Sequence, residues 1–454
     1  MNTPLHDRLI AYSKEKRISF AMPGHKGRTD FSDLARCDVT ELEKTADLHS
    51  ESEAVAAANE LLSSFYKTKR SFILTSGSTT AVQSMITAAV RPGETLLISS
   101  DCHMSVINIC AVLGVNIRVI NQDIDKEFLI PRAVKSVRVY LESCPDIKGV
   151  LLTSPSYYGI CADIKTIADE CREFKVPLLV DEAHGAHFAA TERLPESAAS
   201  YADMVCQSAH KTLNALTGAA YLHVGGDLID PNTVRKAINI YESSSPSYVI
   251  AASADFARAK LEGENGWDEC VSMCAKFKSR IERLGISALE NDDETRLVLN
   301  VARRGITGFN AENILSERYG IDVEMSDLRS IVLIVTPKNT NSDFDALYKA
   351  LSEIIKTDGD FSDGTKIYLP RRRGIINPRA AFFADCETVS LSDSVNRISK
   401  SAVCAYPPGT PIILTGEVVT EERAELIARL ANAGARIIGL KNDGIEVVVE
   451  KNGR

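Results

Sequence analysis

Four short segments of the 454-residue chain carry residue types that do chemistry. They are Ser76-Gly77-Ser78-Thr79-Thr80, Asp101-Cys102-His103, Val180-Asp181-Glu182-Ala183-His184-Gly185 and Gln207-Ser208-Ala209-His210-Lys211-Thr212. Hydroxyls and a glycine opening a helix make an anion site, because the first-turn N–H groups have no intrahelical acceptor. The plainer reading of the same residues is an N-cap cluster, and a P-loop is excluded because no Gly-Lys-Ser/Thr follows. A His just past a strand stacks on a planar ligand or moves a proton. An Asp closing an apolar strand holds a buried cation. Asp181, His184 and His187 have the types of metal ligands, but Ala183 and Gly185 are small in the way a flat group lying over the backbone requires. Lys211 follows Ser208 and His210 just past a strand, where an amine can form an imine; taken alone it reads as a solvated lysine.

Together the four segments hold what one cofactor needs. Pyridoxal phosphate calls for a phosphate cradle, a carboxylate on the pyridine nitrogen, packing for the ring and an imine-forming lysine. The expectation is pyridoxal phosphate on Lys211 and no metal.

The elements that must position these residues follow from periodicity. Short apolar runs at 71–75, 95–99, 116–120, 149–153, 177–180 and 204–206 read as strands, and helical spacing appears at 80–90, 104–113 and 164–174. Such alternation predicts an α/β fold with a mostly parallel sheet covered on both faces, and ligands of such sheets bind beyond the carboxyl ends of the strands. All four segments stand there. Residues 231–290 read as long helices. Strand and helix signals resume after 291 and again over 404–449, which predicts a smaller carboxyl-terminal α/β domain. The expected divisions are an amino-terminal segment 1–48, a large domain 49–290 and a small domain 291–454.

Composition narrows the function classes. Lys and Arg number 52 against 61 Asp and Glu, a formal charge of −9. That disfavours nucleic acid and anionic membranes and is mildly favourable for cationic substrates. The charged amino terminus is no signal peptide, and no 18-residue uncharged apolar run occurs. Eleven cysteines, scattered and odd in number, read as reduced thiols of a cytoplasmic protein, the pair Cys270 and Cys274 included.

Beyond these motifs the chain resembles fold-type-I pyridoxal-phosphate enzymes, and more narrowly the short form of the bacterial ornithine/lysine/arginine decarboxylases. The likeness runs along nearly the whole chain. It includes Pro23-Gly24-His25, the 76–80 cradle, Asp101-Cys102-His103, Ser154-Pro155-Ser156-Tyr157-Tyr158-Gly159, the segments around Asp181 and Lys211, and Ser244-Ser245-Pro246-Ser247-Tyr248. Its most family-specific part is Ala405-Tyr406-Pro407-Pro408-Gly409-Thr410-Pro411 followed by Gly416-Glu417. Departures stand at Met104, where the family has Lys, at 46–53, and at Gly218-Ala219-Ala220.

The resemblance implies decarboxylation of arginine, lysine or ornithine, with Lys211 as the Schiff-base lysine and Asp181 on the pyridine nitrogen. His103 would stack on the ring and Ala183 would pack on the other face. Ser78, Thr79, Thr80, Ser208 and His210 would hold the phosphate, with His184 beside the cofactor. Ser243 would reach the phosphate of a neighbouring subunit, implying a homodimer with shared active sites. Lys211, His210 and His103 are the candidates for proton delivery. Glu417 and Asp47 are the candidate acids for the substrate's side-chain cation. Two alternatives are carried: another pyridoxal enzyme (an aminotransferase or lyase, for which Arg371-Arg372-Arg373 and Arg379 offer a carboxylate site) and a catalytically silent pyridoxal-binding protein.

Overall fold

The computed structural model describes residues 1–15, 23, 25–26, 33–42, 44–263, 265–355, 372, 374–406, 409–442 and 444–449. Gly24, Arg371, Arg373, Pro407 and Pro408, named above, lie outside the described residues. Over the first 265 residues the order is α1 (Pro4–Lys14), α2 (Glu53–Tyr66), β1 (Arg70–Leu74), α3 (Gly77–Ala89), β2 (Thr95–Ile98), α4 (Met104–Leu113), β3 (Asn116–Val119), α5 (Arg138–Ser143), β4 (Ile147–Thr153), α6 (Ile164–Phe174), β5 (Leu178–Asp181), β6 (Met204–Gln207), α7 (Ala209–Thr212), β7 (Ala220–Val224), α8 (Pro231–Tyr241) and α9 (Tyr248–Leu261). The six expected strands fall on β1 to β6. The chain divides into two compact units, residues 1–89 with 164–265 and residues 90–163 with 266–454.

In the first unit the strand order is β1-β7-β6-β5. β5 and β6 are parallel, with Asp181 opposite Cys206, while β7 runs antiparallel to both β6 and β1. β1, β5 and β6 therefore point the same way, and the cradle, Asp181 and Lys211 all follow their carboxyl ends. Every residue of β5 and β6 is buried, as expected of strands covered on both faces. α6 shows why one face is enough for a helix: Ile164, Ile167, Ala168 and Cys171 are buried while Lys165 and Glu173 are exposed. α8 starts where the sequence says it must, at Pro231 in its first turn with the Asp230 carboxylate accepting the Asn232 N–H at 3.0 Å.

In the second unit β4, β2 and β3 form a parallel set in that order, with Ile98 opposite Leu151 and Val119. The remainder of this unit is antiparallel. Strands Ser287–Ala288, Arg296–Asn300, Met325–Ser326 and Ser330–Ile334 make one sheet, with helices Gly308–Tyr319 and Asn341–Ile354 alongside in sequence. The tail carries two three-stranded sheets and a helix, Glu421–Asn432, around a core of Val403, Ile413, Val419, Ile427, Ile445 and Val447. The long helical stretch after 231 is three helices, α8, α9 and Trp267–Ile281. Among the described residues no helix is long and apolar enough to cross a membrane.

Candidate active site

Lys211 sits in α7, the short helix after β6, and its Nζ lies 3.0 Å from His184 Nε2. Its N–H donates to the Ser208 carbonyl at 3.2 Å, closing the turn that returns the chain to the end of the strand. The Ser208 N–H donates to the Ala183 carbonyl, and the Ser208 hydroxyl meets the Ser78 hydroxyl at 2.9 Å. One serine thus joins the lysine turn, the small residue after Asp181 and the start of α3.

Asp181 is 5% exposed. Its Oδ1 accepts the Ala183 N–H at 3.1 Å and the Cys206 S–H at 3.3 Å. Burial and the neighbouring Asp181 hold the Cys206 thiol well above its ordinary pKa, so it stays a donor. Among the described residues Oδ2 accepts no hydrogen bond and no cation lies within ion-pair distance. A buried carboxylate with one oxygen fixed and the other uncommitted fits a cationic ligand atom.

At the start of α3 the Gly77 N–H donates to Gly218 at 2.8 Å, which leaves the first-turn N–H groups of Ser78 and Thr79 without intrahelical acceptors. Ser78 is half-buried and Thr79 exposed. Thr80 differs: it is buried and its hydroxyl turns back to the Ser76 carbonyl at 3.4 Å. His210 donates from Nδ1 to the Ala219 carbonyl at 2.9 Å, since a carbonyl only accepts, and this leaves Nε2 as the lone-pair nitrogen. Burial holds the His210 pKa below its ordinary value, with Lys211 adding and the Ala219 bond opposing, so the ring is neutral near pH 7.

Sequence reasoning missed the supports. Glu242, at the end of α8, accepts the Thr75 N–H, the Thr75 hydroxyl and the Ser76 hydroxyl on one oxygen and so fixes the turn into α3. Under Asp181, Glu182 accepts from Ser197, the Ala198 N–H and Gln207, and Gln207 in turn accepts from His223 at 3.1 Å. Burial pushes Glu182 up to about 7 against those three bonds, and pushes His223 down to about 3. Only the strand period could have pointed to Gln207 and His223, as polar residues at inward positions.

The remaining candidates are described by their own partners. The Asp47 carboxylate accepts the N–H groups of His49 and Ser50, a local turn before α2. Burial pushes Asp47 up, but those bonds outweigh it and hold the group below its ordinary value. The same turn brings His49 Nε2 to the Ser243 carbonyl at 2.7 Å, on an exposed bend. In the second unit His103 caps α4: its Nδ1 accepts the Ser105 N–H at 3.2 Å. Glu417, also there, is 0% exposed and ion-paired to Arg372 and Arg423. An open cleft of about 850 Å³ in that unit is lined by Asp123, Asp125, Arg132, Tyr140 and Asp292 among others, and by none of the candidate residues.

The sequence matches the Orn/Lys/Arg decarboxylase major domain over residues 3–298 and the C-terminal domain of the same family over 373–453. The chain belongs to the Orn/Lys/Arg decarboxylase family. Arginine decarboxylase of Halalkalibacterium halodurans is 32% identical over 97% of this chain and 96% of its own length, and arginine decarboxylase of Bacillus subtilis is 30% identical over 98% and 97%. Among solved structures, lysine decarboxylase of Francisella novicida superimposes with a TM-score of 0.85 over 98% of this chain and 81% of that one, at 20% identity. The fold expected from the motifs and the family are both borne out.

Proposed function

We propose that this family member decarboxylates arginine with pyridoxal phosphate bound at the Lys211 edge of the first unit. The observation that carries the reading is a run of short contacts after β5 and β6, from His184 to Lys211, from Lys211 to Ser208, and from Ser208 to Ser78 and, through Ala183, to Asp181. The relatives named for arginine are 30–32% identical over nearly the full length, against 20% for the lysine enzyme, and this favours arginine over lysine.

The residues fit the cofactor. The Ser78 and Thr79 N–H groups and the hydroxyls of Ser78, Thr79 and Ser208 suit the phosphate. Thr80 contributes through its backbone, because its hydroxyl is engaged with Ser76. Asp181 Oδ2 suits a protonated ring nitrogen and keeps it charged, and Ala183 leaves room for the ring. Bound there, the cofactor supplies an electron sink for the pair released with carbon dioxide. The protein's part is orientation and proton handling. His184 Nε2 fixes the Lys211 amine, the group that forms the imine. His210 Nε2, neutral and unprotonated, is the proposed proton relay, and Lys211 is the proposed donor to the product carbon. The resemblance gives His103 the ring face. An exposed Ser243 beside the His49 turn suits delivery to a second copy of the chain, so the proposed assembly is a homodimer. All eleven cysteines are free thiols, which suits the cytoplasm.

The test is carbon dioxide release from arginine, lysine and ornithine, with agmatine, cadaverine and putrescine identified. Agmatine as the main product is expected. Keto-acid formation without carbon dioxide would replace the reading with an aminotransferase, and bound cofactor without turnover on all three would leave a silent binding protein.

A further inference from the structure

Glu417 is one of the two acids that the sequence offers for the substrate's side-chain cation, yet its carboxylate is 0% exposed and has two guanidinium partners. Gly416, at φ +84°, makes the turn that inserts it; a Cβ there would sit 2.7 Å from the Ile376 carbonyl, so only glycine fits. Glu417 Oε2 accepts from Arg372 and from the Leu414 N–H at 2.8 Å, while Oε1 lies 3.4 Å from Arg423 Nε. Both arginines reach on to one short strand. Arg372 donates to the Pro411 carbonyl at 2.8 Å, and Arg423 donates to the Ile412 carbonyl. Arg423 stands in the first turn of helix Glu421–Asn432, where the helix dipole disfavours a cation. Burial, then Arg372, push its pKa down to about 10, and Glu417 opposes both.

Immediately before this strand the chain touches the loop that carries His103. The Met104 N–H donates to the Gly409 carbonyl at 3.2 Å, and the Thr410 hydroxyl meets the Asp101 carbonyl at 3.5 Å. A Cβ on Gly409 would lie 3.5 Å from His103 Cδ2 and Nε2, ordinary van der Waals contact, so this glycine stands beside the imidazole. The Met104 N–H is the amide that follows His103 at the mouth of α4. The position of His103 is therefore set from one side by α4 and from the other by residues 409–410, which are anchored by the buried ions one strand-length away.

We propose that Glu417 is a positioning residue. With Arg372 and Arg423 it forms a buried ionic clamp on strand Pro411–Ile413, and the clamp holds Gly409 and Thr410 against the Asp101–Met104 loop and so sets the His103 ring. It does not bind the cation of the substrate. The kinetic consequence rests on the function proposed above; the structural consequence does not.

The test compares wild type with Glu417→Gln. In the full-length protein without cofactor, hydrogen exchange is followed at peptides covering 101–106 and 405–414, with β2 and β4 as internal references. Exchange in both peptides is expected to rise at least about tenfold more than in the references. Unchanged protection at Met104 overturns the clamp. In the holoenzyme, kcat/KM is measured for arginine and for its uncharged isostere citrulline. A positioning role lowers both together, keeping their ratio within about threefold, and chiefly through kcat. Collapse of the ratio, with a raised KM for arginine alone, overturns the proposal in favour of a substrate-binding acid. If Glu417→Gln fails to fold, the double variant Glu417→Gln, Arg423→Gln removes one charge of each sign and keeps the net charge of the cluster, and the same readouts apply. Absence of agmatine from wild type would fail the function reading alone, since the exchange comparison still decides the clamp.

Discussion

At the end of β5 the Asp181 carboxylate is 5% exposed and gives one oxygen to an N–H and an S–H of its own unit. In the tail of the second unit the Glu417 carboxylate is 0% exposed and faces two guanidinium groups. Both are buried charges, and burial of a charge is costly unless it is compensated. Around Glu417 the counter-charges are built in, although its Oε1 has an ion pair with Arg423 and no hydrogen bond. Around Asp181 the compensation is half built, with Oδ2 left over. A buried acid that brings its own counter-charges belongs to the fold, whereas one that lacks them and keeps an oxygen uncommitted suits a cationic ligand.

The largest expected effect falls at the first of these regions. Lys211→Ala should lower carbon dioxide release from arginine by at least about 10⁴-fold, as loss of the covalent group does, and borohydride should trap no cofactor on the chain. Retained trapping would move the imine to another lysine. Next in size is the contrast between the two acids. Asp181→Asn keeps an acceptor for Ala183 and Cys206, so it should fold as wild type within about 1 kcal/mol. Its turnover should nonetheless fall about 10³-fold, and by more than its affinity for the cofactor. Glu417→Gln should instead cost about 3–5 kcal/mol of stability, because it leaves two buried arginines under-compensated. Denaturant titration of both variants decides: equal stabilities would erase the distinction.

The contrast also explains what could be read from the chain beforehand. The Lys211 edge was legible because each of its parts is local. β1, β5 and β6 are apolar runs, and their chemistry stands in the next few residues. The metal reading of Asp181, His184 and His187 had no comparable partner at the other strand ends. The clamp was not legible, because Arg372, Glu417 and Arg423 share no period or motif and meet only through tertiary packing. Glu417 accordingly looked like a surface acid free to meet a substrate. β7 escaped notice for a related reason. Its start, Gly218-Ala219-Ala220, is unusually small; the Gly218 carbonyl receives the Gly77 N–H, and Ala219 and Ala220 are fully buried. Close backbone approach, which no propensity scale rewards, selects those residues. Asp47 likewise looked available and is occupied by its own turn.

The acid next to Asp181 gives a pH test of the same comparison. Glu182 is raised by burial to about 7 from an ordinary 4.5. Between those two values the folded chain holds a proton that the unfolded chain has lost. Stability should therefore fall as pH rises through that window, by about 3 kcal/mol in total, and level off above it. Glu182→Gln has no such proton, so its stability should lack this slope. Denaturant midpoints from pH 4.5 to 8 check it; parallel curves for the two proteins would show that Glu182 is ionised throughout.

The smallest effect separates hydroxyls within the cradle. Ser208 and Ser78 meet each other at 2.9 Å at the mouth of α3, whereas the Thr80 hydroxyl is turned onto the Ser76 carbonyl. If the phosphate is held at the helix start, Ser208→Ala removes a hydroxyl that donates to a charged oxygen, worth about 1.5 kcal/mol. Titration of the cofactor-free variant with pyridoxal phosphate should then show roughly tenfold weaker binding, with kcat unchanged once the cofactor saturates. Thr80→Val removes a hydroxyl engaged with the protein itself, and its cofactor affinity should change by less than about twofold. The opposite ranking would mean that the Thr80 side chain rotates to the ligand. The cradle would then be completed by binding, unlike Asp181, whose Oδ2 is already uncommitted.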